Sequence, residues 1–172
     1  MENIRITSGI YRDRTISSPN SKLTHPMGSR EKIALFNMIS EKIPNAVVLD
    51  AYAGSGALGI EAISRGAKEV IFVEKSPKIA QTIRENLNKL ALKAEILTQD
   101  VKKLKTNHRF DIILTDPPYD NFDQNAISNL TEYLKDGGIL VLSHPSSAPV
   151  INGLNLTKTH QYSKANITIY QK

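Results

Sequence analysis

The sequence predicts an α/β protein: a mostly parallel sheet with helices on both faces, an antiparallel strand pair at the C-terminus and a small β-hairpin at the N-terminus. Three observations predict it. Between residues 46 and 144 the apolar runs AVVLD, EVIFVE, AEILTQD, FDIILTD and GILVLSH alternate with helical patterns, and such alternation makes successive strands parallel with helical crossovers. The first of these runs leads directly into a glycine loop that opens a helix, AGSGALGIEA. The last two runs, NLTKTHQY and ANITIYQ, alternate apolar and polar residues with no helix between them, as an antiparallel pair does.

In chain order, residues 3–17, NIRITSGIYRDRTIS, alternate and are rich in Ile, Thr and Tyr, which reads as a hairpin with Gly9 near its turn. The turn-rich SSPNSKLTHP reads as a linker. The organisation expected is therefore a hairpin and linker over residues 1–24 and a main domain over 25–172. Ser29 is placed to cap the helix REKIALFNMISEKI, in which Ile33, Phe36, Ile39 and Ile43 recur at helical spacing before Pro44 ends it. After the strand AVVLD, the helix LGIEAISR stops at Gly66. After EVIFVE, Ser76-Pro77 is an N-cap followed by proline at the first helical position. That helix carries Ile79, Ile83, Leu87 and Leu90 on one face. AEILTQD and FDIILTD are the third and fourth strands. NAISNLTEYLK is a helix closed by Gly137-Gly138, and GILVLSH is the fifth strand.

The 172 residues suit one domain with a real core. The absence of cysteine removes disulfides, thiolate metal sites and thiol nucleophiles. His25, His108, His144 and His160 show no ligand spacing, so no metal is expected. No apolar run is long enough to span a membrane, and MENIRITSG has no signal-peptide core, so a cytoplasmic location is expected. The net charge of +5 is concentrated at the ends. Residues 1–30 hold Arg5, Arg12, Arg14, Lys22 and Arg30 against Glu2 and Asp13, and no acid follows Asp136. Basic ends of this kind point to a polyanionic partner.

Gly54-Ser55-Gly56-Ala-Leu-Gly59 has the spacing of a dinucleotide fingerprint, with Glu74 twenty residues after Gly54. Ligands of parallel sheets lie beyond the C-terminal strand ends, and four successive predicted strands end in a carboxylate: Asp50, Glu74, Asp100 and Asp116. Asp50 stands where a pyrophosphate would lie and would repel it. An edge this acidic favours a cation bearing hydroxyl and amino donors. Glu74 suits the two hydroxyls of a ribose, and Asp100 suits an adenine amino group. A nicotinamide oxidoreductase gives no account of Asp50.

Thr115-Asp116-Pro117-Pro118-Tyr119 adds the second half of the site. Two prolines directly after a strand cannot continue the ladder and hold a rigid extended turn. The carbonyls of Asp116 and Pro117 are then free beside the Asp116 carboxylate, with the Tyr119 ring next to them. Such a cluster takes a planar ring with an exocyclic NH2 group: the acceptors bind its N–H protons and the aromatic stacks on it.

The stretches SGIYRDRTI, HPMGSREKIALFNMI, VLDAYAGSGALGIEAISRGA, VIFVEKS, FDIILTDPPYD and YSKANITIYQK together resemble the 16S rRNA guanine-N2 methyltransferase family, RsmD-like, over nearly the whole chain. Asp-Pro-Pro-Tyr alone also marks adenine-N6 and cytosine-N4 DNA methyltransferases. The chain departs from the family pattern at His25, usually Arg, at Ser29, often Asp, and at Leu142-Ser143-His144, where many members carry a glutamate. The resemblance implies a Rossmann-like class I methyltransferase fold with a seven-stranded sheet, S-adenosyl-L-methionine as cofactor, and small-subunit ribosomal RNA or the assembling small subunit as partner. It assigns Asp50, Ala51, Gly54, Ser55, Gly56, Glu74, Lys75, Ser76, Asp100, Val101 and Arg30 to the cofactor. It assigns Asp116, Pro117, Pro118 and Tyr119 to methyl transfer. Arg5, Arg12 and Arg14 of the hairpin either contact RNA phosphates or form a solvated face, the first being the reading adopted, and the run Lys102-Lys103-Leu104-Lys105 is either a secondary basic patch or a solvated helix face. Tyr11 either stacks on a base or packs the hairpin. A DNA amino-methyltransferase and an inactive RNA-binding module on the same fold are the alternatives.

Overall fold

The computed structural model describes residues 3–19, 27–162 and 165–172. His25, Lys22 and most of the predicted linker lie outside the described residues. The hairpin consists of β1 (Asn3–Arg5) and β2 (Thr15–Ser17), and α1 (Ser29–Met38) follows. The body then runs β3 (Val47–Asp50), α2 (Ala57–Ser64), β4 (Glu69–Val73), α3 (Pro77–Lys89), β5 (Glu95–Leu97), β6 (Phe110–Thr115), α4 (Gln124–Asn129), β7 (Leu134–His144), β8 (Asn155–Gln161) and β9 (Asn166–Gln171).

The main sheet has seven strands in the order β5-β4-β3-β6-β7-β9-β8. The five from β5 to β7 are parallel, and β9 lies antiparallel between β7 and β8. The chain winds from β3 outward to β5, then returns to the other side of β3 for β6. That reversal opens a crevice at the C-terminal ends of β3 and β6. Because side chains alternate across a strand, the sheet fills two cores. Val48, Phe72, Ile112 and Val141 face α1 to α3 with Leu35, Phe36, Ile60 and Ile83. Leu49, Ile71, Ile113, Leu140 and Leu142 face the other way, with Ile127 of α4, Leu130 and Tyr170.

The hairpin is sewn onto the body. Ile6 and Ile16 are buried in the first core. The loop between β1 and β2 sits on α2, where the buried Glu61 carboxylate accepts from Thr7 N (2.9 Å), Thr7 Oγ1 (2.6 Å) and Ser8 N (3.0 Å). Glu61 also pairs with Lys32 Nζ at 3.2 Å and Arg65 Nε at 3.0 Å. Lys32 Nζ in turn donates to the Arg5 carbonyl at 2.8 Å.

This network corrects the predicted face of α1. Lys32 is buried and Ile33 is 41% exposed, because Glu61 and the Arg5 carbonyl satisfy an ammonium that would otherwise be too costly to bury. Leu35, Phe36, Ile39 and Ile43 complete the buried face. The N-cap of α1 is Gly28 rather than Ser29, with no side-chain cap.

The helix predicted over residues 125–135 is shorter. α4 ends at Asn129, a 3-10 turn covers Leu130–Tyr133, and Leu134 already opens β7 opposite Phe110. Gly137 at φ 75 makes an irregularity within β7, where the pairing slips between Phe110 and Ile112. The two glycines form a bulge inside a strand instead of stopping a helix. β5 is also shorter than the run AEILTQD, ending at Leu97.

Candidate active site

Strand order brings the predicted acids together. Along the C-terminal edge, the ends of β5, β4, β3, β6 and β7 and the segments leaving them present Asp100, Glu74, Asp50, Asp116 and Ser143 in that order, with neighbouring strands about 4.8 Å apart. Asp50 is the last residue of β3, and Glu74 and Asp116 stand one residue past β4 and β6. Asp100 lies three residues beyond β5, where its carboxylate caps a 3-10 turn by accepting from Lys102 N at 2.9 Å. The expectation that all four acids end strands is corrected at this position: the chain leaves the β5 ladder early, and Asp100 serves the next turn.

Two of these acids build the glycine loop. Asp50 Oδ2 accepts from Gly59 N at 2.9 Å, in the first turn of α2. Glu74 Oε2 accepts from Gly54 N at 3.1 Å, and Oε1 from Ser76 N at 2.8 Å. Glu74 therefore ties the loop after β3 to the start of α3, where Ser76 is the N-cap. Gly56 caps α2 at φ 79, a left-handed conformation that favours glycine. A Cβ on Gly59 would run into the Phe72 ring, so the third glycine of the pattern lets α2 lie close on β4. The Ser55 carbonyl accepts from Asn86 Nδ2 at 2.9 Å. The same amide bonds both the N–H and the C=O of Ser17, bracing the loop against β2.

The remaining assigned residues divide by exposure. Ala51 and Val101 are buried, and Lys75 is exposed beside Ser76. Arg30 is exposed on the first turn of α1. Burial raises the Tyr119 phenol, and the charges of Asp116 and of Glu31, the neighbour of Arg30, add to the rise.

Two of the acids along this edge are pushed upward, burial being the largest cause for each. Burial pushes the Asp50 carboxyl up to about 7, with the Gly59 N–H opposing and the charges of Asp116 and Glu74 adding to the rise. Burial likewise pushes Asp116 up to about 6, opposed by a hydrogen bond from Ser143. A positive ligand would relieve this crowding, and Gly54, at φ 52, has open space above it.

The turn after β6 is held against β7. Thr115 Oγ1 donates to the Val141 carbonyl at 2.8 Å, closing the strand. Pro117 is buried, Pro118 is exposed, and Tyr119 is 36% exposed. Tyr119 Oη lies 2.6 Å from Ser143 Oγ, and the same serine favours the ionised form of Asp116. Sequence reasoning marked Ser143 only as a departure from a family pattern. The signal that finds it is strand order: β6 pairs with β7, Thr115 is level with Leu142, and the next residue of each strand is Asp116 and Ser143.

Tyr52 was also missed. Its phenol is pushed up to about 12 by burial, then by the charges of Asp123 and Asp100, which places it at the Asp100 end of the crevice. Lys102, read as part of a basic run, pairs with Asp123 at 2.7 Å.

Arg5, Arg12 and Arg14 are exposed on the hairpin. Asp13 lies 3.6 Å from Arg5 and 3.7 Å from Arg12. Tyr11 packs against the first core, with the Arg14 guanidinium 5.8 Å from its ring centre. His144 pins β7 to β9 through Thr168 Oγ1 at 2.8 Å, and His108 contacts Glu95 at 3.1 Å. Among the described residues no helix is long and apolar enough to cross a membrane.

A parallel sheet of this order with an antiparallel terminal pair, a glycine loop after β3 and an Asp-Pro-Pro-Tyr turn after β6 defines a Rossmann-like class I methyltransferase. The chain matches the family described as conserved hypothetical protein 95, the RsmD family, over residues 4–171, and it belongs to that family. It is similar to the ribosomal RNA small subunit methyltransferase D of Haemophilus influenzae, with 35% identity over 164 residues, 90% of this chain and 85% of that protein. It is 32% identical to the enzyme of the same name from Escherichia coli K12, over 80% of this chain and 69% of that one. A solved Escherichia coli structure, provisionally named methyltransferase yhhF, superposes with a TM-score of 0.90 at 27% identity, covering 99% and 98% of the two chains.

Proposed function

We propose that this protein transfers a methyl group from S-adenosylmethionine to the exocyclic N2 amine of a guanine in small-subunit ribosomal RNA. The observation that carries the reading is the amine-accepting turn Asp116–Tyr119 set directly beside the acidic crevice of Asp50 and Glu74. The family and the names of its relatives support ribosomal RNA as the substrate.

The cofactor is S-adenosylmethionine, and when bound it supplies an electrophilic methyl group on a sulfonium. The residues present suit it. Asp50 meets positive charge with a carboxylate that ionises more readily as the charge arrives. Glu74, beside the glycine loop, would hold the ribose, flanked by Lys75 and Ser76. Asp100 and Val101 would border the adenine, and Ala51, Gly54, Ser55 and Gly56 would line the methionine end. Arg30 is assigned to the methionine carboxylate.

The guanine leaves its stack to enter the crevice. Its N2 lone pair is delocalised into the ring. Hydrogen bonds from the two N–H groups to Asp116 and the Pro117 carbonyl favour a more tetrahedral nitrogen and aim its lone pair at the methyl carbon. Pro118 holds the turn rigid and Tyr119 supplies the stacking face. Positioning of this kind accounts for much of the acceleration in an in-line displacement. Residues 1–24 form the RNA-facing element, Arg5, Arg12 and Arg14 contacting phosphates, and residues 25–172 form the methyl-transfer unit. The protein works on ribosomal RNA or assembling subunits in the cytoplasm and uses no metal.

The test is transfer of labelled methyl to small-subunit rRNA and to duplex DNA, followed by nucleoside mass spectrometry. N2-methylguanosine from the RNA is expected, as is loss of one such nucleoside from small-subunit rRNA of cells lacking the gene. Label appearing in DNA, or on another RNA atom, refutes the reading.

A further inference from the structure

We propose that Ser143 is the positioning residue of the amine-accepting turn, its hydroxyl holding the Asp116 carboxylate and the Tyr119 ring as one unit. The inference rests on the reading of Asp116 and Tyr119 as the base site. Ser143 is 1% exposed on β7, one residue past the pairing of Leu142 with Thr115. Its Oγ is 2.6 Å from Tyr119 Oη, and the pairing of β6 with β7 sets it beside Asp116, whose ionised form it favours.

An ionised carboxylate only accepts, and a serine hydroxyl has one proton. In the proposed unit the Ser143 proton goes to Asp116, and the Tyr119 hydroxyl then donates to Ser143 Oγ. One Asp116 lone pair is thereby filled and the carboxylate plane is held, which leaves its other acceptor positions for a substrate N–H. Tyr119 is tethered at both ends, by its backbone and by its hydroxyl, so its exposed ring keeps one plane. A base stacking there finds a surface already ordered, without the cost of immobilising the ring on binding.

Asp116 meets Asp50 from β3 and Ser143 from β7, and Tyr119 meets Asp116 and Glu31 of α1. Of these, Ser143 favours the ionised form of Asp116 while burial opposes it. Removing the hydroxyl should push the carboxyl further up.

The experiment uses Ser143→Ala, Ser143→Thr and Tyr119→Phe in the full chain, each checked for folding by thermal melting. The Asp116 carboxyl is titrated by carbon NMR, and RNA methylation is followed from pH 5 to 9. In Ser143→Ala the Asp116 midpoint and the acid limb of kcat should both move to higher pH, and kcat at pH 6.5 should fall roughly tenfold or more, as for a misplaced reacting group. Ser143→Thr, which keeps the hydroxyl, should restore both. Tyr119→Phe should leave the Asp116 midpoint in place and raise KM for RNA. A Ser143→Ala protein with an unmoved Asp116 midpoint, or a Tyr119→Phe protein with wild-type KM, overturns the inference. The titration needs no turnover. A moved midpoint in a protein whose wild type methylates no RNA amine would leave the Ser143–Asp116 coupling standing and sink the guanine reading instead.

Discussion

Cofactor binding should be linked to a proton at Asp50. This carboxyl is buried at the end of β3, beside Asp116 and Glu74, and stands at about 7. A sulfonium and an ammonium bind best to its ionised form. From pH 7.5 to 5.5 the ionised fraction of such a group drops from about three-quarters to about 3%, so affinity should fall about 25-fold, or roughly 2 kcal/mol. Asp116, at about 6, adds to the loss in the same direction. The matching variant is Asp50→Asn, whose amide oxygen can still accept from the Gly59 N–H. It should bind more weakly at pH 7.5 and show a much flatter pH dependence. The same shift works in reverse on the ligand-free fold. A raised carboxyl pKa contributes stability that is full below the ordinary value of 3.8 and is lost as pH rises through about 7. The melting midpoint of the ligand-free protein should therefore drop more between pH 5.5 and 8 in the wild type than in Asp50→Asn. Calorimetry in two buffers of different ionisation enthalpy counts the proton released. Wild-type affinity that is flat from pH 5.5 to 7.5, or an Asp50→Asn variant with the wild-type slope, refutes the reasoning.

Five further variants probe the other parts of the molecule. Glu74→Ala removes two bonds to loop N–H groups as well as the ribose acceptor, and charged hydrogen bonds are worth about 1.5–3 kcal/mol, so calorimetry should show cofactor affinity down roughly ten- to a hundredfold, whereas Asp116→Ala should abolish transfer with binding nearly intact. Replacing Arg5, Arg12 and Arg14 with Ala should lower the slope of log RNA affinity against log salt by about 0.7 per lost phosphate contact, about 2 in all. Asp13→Gly, which frees Arg5 and Arg12 and relieves a residue at φ 67, should tighten RNA binding; an unchanged slope in the first protein or weaker binding in the second marks these arginines as a solvated face. Glu61→Ala strands the buried Lys32 ammonium and the Thr7 N–H, and breaking a buried pair costs about 3–5 kcal/mol, which chemical denaturation should register as a large fall in the midpoint.

The sequence by itself determined most of the elements and which polar residues stand at their ends. Apolar periodicity and flanking caps are local, so β3, β4, β6, the glycine-loop helix and α3 behind Ser76-Pro77 were legible within a residue or two, while β5 ends three residues earlier and β7 starts four residues earlier than the apolar runs suggest. The carboxylates near the strand tips and the Asp-Pro-Pro-Tyr turn were legible for the same reason, since each acts at the end of a run whose type can be read. The end of α4 was not. Its helical pattern continues through Leu130 and Leu134, but Leu134 gains more by pairing beside Phe110 in the sheet, and Gly137 allows the bulge that β7 needs. Lys32 entered the core and Ile33 left it because Glu61, twenty-nine residues away, supplies the partner. Ser143 became part of the site because β7 lies next to β6, and Asp13 met Arg5 because the hairpin folds back on itself. The Asp50 carboxyl stands near neutral pH because other strands bury it and set two more acids beside it. In each case the deciding neighbour is distant in sequence. Local pattern fixes which face of an element is apolar, and strand order together with the packing of helices on the sheet decides which groups that face meets.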